Sequence, residues 1–136
     1  MSEAVYEGGC HCGAVRFRAR GAALNAALCH CVDCRNVSGA PLVAWASFPV
    51  EQFEFTHGQP KVYASSGKAE RQFCADCGTP LTYRRHGDDS LDVTSASLDD
   101  PEALPPRFHV FTRERLSWVH VSDDLPQFPG WSHEGP

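Results

Sequence analysis

Apolar residues in this chain recur at every second position or in short runs, and not at the three-and-four spacing of an amphipathic helix. Val15-Arg16-Phe17-Arg18-Ala19 alternates apolar and basic, the signature of a half-buried strand. Phe53-Glu54-Phe55-Thr56 alternates in the same way, and His57-Gly58 closes it as a turn. The run from Pro41 to Phe48 is apolar and reads as a buried strand broken by Pro49. Further strands are expected as two pieces within residues 4–20, then at Asn25–Cys31, Lys61–Ser65, Glu70–Phe73, Leu81–Arg85, Leu91–Thr94 and Arg107–Thr112, followed by irregular chain. A single helical turn is expected from Asp33 to Ser38, ended by Gly39-Ala40-Pro41. Many short strands separated by turn signals predict an all-β domain. At 136 residues, with no internal repeat and no linker, the expectation is one domain over residues 1–136.

Composition narrows the class. No apolar run approaches the roughly 20 residues that span a bilayer. The opening Met1-Ser2-Glu3-Ala4-Val5-Tyr6-Glu7 has neither the basic nor the apolar region of a signal peptide, so a cytoplasmic location is expected. Net charge is −5 and no basic run is present, which argues against nucleic acid as a partner.

The seven cysteines change the picture most. They fall in three groups: Cys10-His11-Cys12, Cys29-His30-Cys31-Val32-Asp33-Cys34 and Cys74-Ala75-Asp76-Cys77. In a reducing compartment clustered thiols favour a thiophilic metal over disulfides, and an odd number would leave one thiol over. A CxC on extended chain points both sulfurs one way, and a CxxC before Gly78 makes a tight turn that grips one ion. Cys10, Cys12, Cys74 and Cys77 then make a complete four-thiolate set. Cys29, Cys31 and Cys34 make a set of three, open at one position for water or an incoming thiol. The competing reading is a second structural zinc closed by a histidine from among His11, His30, His57, His86, His109, His120 and His133.

With these motifs on the page the chain resembles the glutathione-dependent formaldehyde-activating enzyme (GFA) family. The likeness rests on Gly9–Gly13, Cys29–Gly39 and Phe73–Gly78, and it continues through Ser97–Pro101, His109-Val110, Trp118 and Leu125-Pro126. The resemblance implies an Mss4-like, all-β, sandwich-type fold with two zinc ions per chain. It implies a structural zinc on Cys10, Cys12, Cys74 and Cys77, and a catalytic zinc on Cys29, Cys31 and Cys34. It also implies a carbon–sulfur lyase that takes a small thiol such as glutathione, with S-(hydroxymethyl)glutathione as the thiol–aldehyde adduct. Two other readings compete: an interaction module of Mss4 type in which zinc only holds the structure, and a redox or metal sensor built on the exposed thiolates.

Other residues have two readings each. His30 is either a packed, hydrogen-bonded histidine or a proton carrier. Arg35 either bonds backbone carbonyls or attracts a substrate carboxylate. Asn36 and Ser38 are expected to cap the turn. Trp45 is either core or the wall of a pocket. Arg84, Arg85 and His86 either form an anion site or lie at a solvated strand end.

Overall fold

Ten strands and one α-helix are found among residues 3–134, the residues described by this computed structural model. The strands are β1 (Val5–Gly9), β2 (Arg16–Arg20), β3 (Asn25–Cys29), β4 (Val43–Pro49), β5 (Phe53–His57), β6 (Lys61–Ser66), β7 (Ala69–Phe73), β8 (Pro80–Arg85), β9 (Ser90–Thr94) and β10 (Phe108–Val110). The helix α1 covers Val32–Ser38. The architecture is therefore all-β, as the alternating pattern requires. Two elements end earlier than the pattern predicts. β3 stops at Cys29 because Cys31 caps the helix. β10 stops at Val110 because Phe111 takes a left-handed conformation (φ 55°, ψ 38°) that no strand continues.

The strands form a three-stranded sheet, β1-β2-β5, and a seven-stranded sheet, β10-β3-β4-β9-β8-β7-β6. All pairings are antiparallel except β10 with β3. Alternation decides what each face meets. Phe17 and Ala19 of β2 point inward and are fully buried, whereas Arg16 and Arg18 point out to ion pairs with Asp99 and Glu54. Ala46 and Phe48 of β4 join Phe17, Leu81, Leu91 and Val93 in the main core. Trp45, on the opposite side of β4, joins Cys29, Cys34 and Val110 in a second cluster. One strand thus contributes to two cores, and the second holds three of the residues most relevant to chemistry.

Candidate metal centres

The two paired-cysteine segments adopt similar local forms, the second one residue longer between its first cysteine and its glycine. In the first, the Cys10 N–H donates to Val15 O (3.0 Å) and the Gly13 N–H to Cys10 O (3.1 Å). In the second, the Cys74 N–H donates to Thr79 O (3.1 Å) and the Gly78 N–H to Cys74 O (2.8 Å). Both turns close on a glycine at φ 81°, where a side chain would be strained. The folded sheets bring the two turns together, so that Cys12 Sγ lies 3.7 Å from Cys74 Sγ and 3.6 Å from Cys10 Sγ. A zinc ion bound tetrahedrally at about 2.3 Å from each sulfur requires sulfurs about 3.8 Å apart. The four sulfur atoms of Cys10, Cys12, Cys74 and Cys77 lie within 4.8 Å of one another, so the cluster fits a thiophilic ion.

The second cluster is local in sequence. Cys29 ends β3, Cys31 is the N-cap of α1, and Cys34 sits in its first turn. Cys31 Sγ accepts the Cys34 N–H at 3.2 Å, so one sulfur also caps the helix. Gly39 closes the other end in a left-handed conformation, its N–H on Arg35 O at 2.8 Å. The three sulfurs lie within 4.8 Å of each other. Among the described residues no histidine, aspartate or glutamate completes that set.

The charge states follow from this crowding. Hydrogen bonds from Cys29 and then Cys34 push the Cys31 thiol down to about 2. The same contact, with Cys34 and burial, pushes Cys29 strongly up. Cys34 is drawn down by Cys29, but Cys31 and burial outweigh that and lift it to about 11. Without a cation the contacts among the three sulfurs favour the thiolate form at Cys31 over Cys29 and Cys34. A bound metal ion overrides this, because a coordinating thiol is deprotonated outright. In the four-cysteine cluster Thr79 holds Cys77 down at about 5, its hydroxyl 3.2 Å from the sulfur. Cys12 is eased by the Ala14 N–H, but Cys10 and its other neighbours lift it to about 12.

The loop around the three sulfurs is held from the far end of the chain. The His30 N–H donates to Val110 O (3.1 Å). The His30 side chain is fully buried, with Nε2 2.8 Å from His109 Nδ1, and His109 Nε2 lies 2.8 Å from Asp123 Oδ2. His30 is thus a packed, hydrogen-bonded histidine. Burial, with the nearby His109, Arg115 and Arg35 charges, holds its pKa below the usual imidazole value. Arg35 donates through Nε to His30 O and through Nη2 to Glu114 O, both at 3.2 Å. Its two readings are resolved in favour of backbone carbonyls. Ser38 Oγ donates to Cys34 O at 2.7 Å, closing the helix. Arg84 bonds Asp88 O, and Arg85 and His86 are exposed at the strand end.

Sequence reasoning had no means of finding His109 and Asp123 as partners of His30. They lie 79 and 93 residues away, and only the parallel pairing of β10 with β3 brings them in. Trp45 turns out to be both core and wall. It is buried against Cys29 and Cys34, and it lines a cavity of about 580 Å3 that α1 borders through Asn36 and Val37.

Fold and site together define a strand-built protein with two thiol clusters shaped for metal ions. A family model described as glutathione-dependent formaldehyde-activating enzyme matches residues 5–114, and the chain belongs to that family. An uncharacterized lyase of Schizosaccharomyces pombe is 36% identical over 78 residues, 57% of this chain and 56% of that protein. This chain therefore matches little more than half of that relative's length. A putative glutathione-dependent formaldehyde-activating enzyme of Halomonas elongata is 26% identical over 129 residues, 86% of this chain and 81% of that protein. A crystal structure of a Rhodobacter sphaeroides protein superposes with a TM-score of 0.58 at 21% identity, over 90% of this chain and 98% of its own, and it shares the fold. No helix among the described residues is long and apolar enough to cross a membrane.

Proposed function

We propose that this chain is a zinc-dependent enzyme of carbon–sulfur chemistry that acts on a small thiol or its aldehyde adduct. The observation that carries the reading is the three-sulfur cluster of Cys29, Cys31 and Cys34, with no fourth protein ligand among the described residues, packed against Trp45, which walls a cavity. Cys10, Cys12, Cys74 and Cys77 would hold a structural zinc, and Cys29, Cys31 and Cys34 the catalytic one. A zinc ion held by the three thiolates would supply an open position that lowers the pKa of a substrate thiol toward neutral pH. The protein's own residues do the rest. Arg35, Glu114 and the His30–His109–Asp123 chain fix the loop, and α1 and Trp45 border the cavity.

The reaction in the synthetic direction adds the thiol S–H across an aldehyde C=O. An S–C bond forms, the carbonyl π bond breaks, and the thiol proton ends on the new hydroxyl oxygen. The reverse cleaves the same bond, as a carbon–sulfur lyase does. The family name and the name of the Halomonas elongata relative support glutathione and formaldehyde as the pair. The interaction-module reading leaves the second cluster and its adjoining cavity without a role.

The test is calorimetric titration of zinc-loaded protein with glutathione and smaller thiols in buffers of different ionisation enthalpy. Thiol binding with release of about one proton, lost in Cys31→Ser, is the expected result. Binding that persists in Cys31→Ser removes the zinc–thiol reading.

A further inference from the structure

We propose that Arg71 anchors a carboxylate of the substrate, which makes the preferred ligand an anionic thiol. The inference rests on the thiol reading above and adds the group that selects among thiols.

The sheet register puts Arg71 where a substrate tail would lie. Arg71 of β7 stands directly opposite Tyr63 of β6 and Tyr83 of β8. Directly paired residues share a sheet face, and Tyr83 packs with Trp45, Cys29 and Cys34 on that face. Arg71 lines the same cavity as Trp45 and as Asn36, which follows Cys34 on α1 by two positions.

The guanidinium is placed but unused. Its Cζ lies 4.7 Å from the centre of the Tyr83 ring, a cation–π contact that holds the group in place. Nε and Nη1 are buried and have no hydrogen-bond partner among the described residues. Arg71 takes part in none of the ion pairs found there. Arg16, Arg18, Arg35 and Arg84 all have acceptors, and Arg85, Arg107 and Arg113 are exposed to water, whereas Arg71 is half-buried. Buried donors without acceptors are rare and unfavourable. The guanidinium meets a carboxylate in two-point fashion through Nη2 together with either Nε or Nη1, so Nη2, which is not among the buried unpartnered donors, completes each such pair.

The rest of the lining agrees. Lys61 adds a second cation, and no aspartate or glutamate lines the cavity, although the chain as a whole carries a net charge of −5. The nearest acid along the register, Asp92, lies beyond Tyr83 and is bonded to Ser47 Oγ. A cationic cavity in an acidic protein selects anions. For thiols built on the cysteine skeleton that anion is a carboxylate.

The experiment compares 3-mercaptopropionate, its methyl ester and 3-(methylthio)propionate by calorimetry on zinc-loaded protein. The acid should bind roughly 10- to 100-fold more tightly than the ester, the range for a charge-assisted pair. In Arg71→Met the two should bind alike, with the ester's affinity and the zinc content unchanged. Arg71→Lys, which keeps the charge but loses the fork, should retain part of the preference, and it answers the same question should Arg71→Met fail to fold. Equal binding of acid and ester by the unaltered protein, or an undiminished preference in both variants, overturns the assignment. If 3-(methylthio)propionate binds as tightly as the thiol acid and still depends on Arg71, the thiol reading fails and the carboxylate site stands. Absence of binding by all three compounds overturns both.

Discussion

The two sulfur clusters differ most in the length of chain each would tie together, and that difference sets a measurable stability gap. Cys12 and Cys77 are both exposed, so replacing them with serine disturbs no packing. The double change removes one ligand from each turn and with it the link between segments 62 residues apart. Treated as a crosslink in the unfolded chain, a loop of that length is worth about 4 kcal/mol, and the short Cys29–Cys34 loop about 2 kcal/mol. A domain of this size has about 5–15 kcal/mol in total, so losing the long link removes a large share. Cys12→Ser with Cys77→Ser should therefore lower the unfolding free energy by about 4 kcal/mol, and Cys31→Ser by about 2 kcal/mol or less. Urea unfolding followed by tryptophan fluorescence, with zinc counted on each folded protein, measures both. Equal losses in the two variants, or a loss under about 1 kcal/mol in the double variant, would refute the division into a stapling site and an open site.

Four further outcomes are expected. Freshly purified, reduced protein should carry two zinc ions per chain and release them on acidification. A chromogenic zinc dye should report the release as acid protonates the ligating thiolates. Stability should fall as pH drops below about 6.5, the ordinary histidine value, because the unfolded chain protonates His30 before the folded one does. Asp123, held below the usual carboxylate range by the Leu125 N–H and by His109, adds a further loss only below about pH 4. His109→Ala should cost about 2–4 kcal/mol in chemical denaturation, since it leaves a cavity and strips His30 Nε2 of its partner. Arg35→Ala should cost about 1 kcal/mol and leave the acid-over-ester preference intact, because its donors already lie on His30 O and Glu114 O. A lost preference in that variant would return Arg35 to the role of carboxylate partner.

Much of this molecule was legible in the one-dimensional pattern. Period-two alternation at Val15–Ala19 and Phe53–Thr56 determines strands, since only one backbone form puts successive side chains on opposite faces. Cysteine spacing within each segment determines which sulfurs are neighbours, because CxC and CxxC-Gly are short enough for the local backbone to set the geometry. The three-sulfur cluster is of this local kind. The partition of the remaining four into one cluster was an inference of arithmetic, and the sheets bring it about by carrying Cys12 to within 3.7 Å of Cys74.

What only the tertiary structure decided are pairings across long stretches of chain. His30 and Arg35 each had two readings because a side chain's role depends on what faces it, and their partners come from residues 109 and 114. Arg71 carries no local signal at all: Glu70-Arg71-Gln72-Phe73 is an ordinary strand sequence. Its standing comes from register, which sets it against Tyr83 on the cysteine face of the sheet and leaves its buried donors without an acceptor. Register is a property of two strands together, and a one-residue slip would have turned the same arginine to the opposite face.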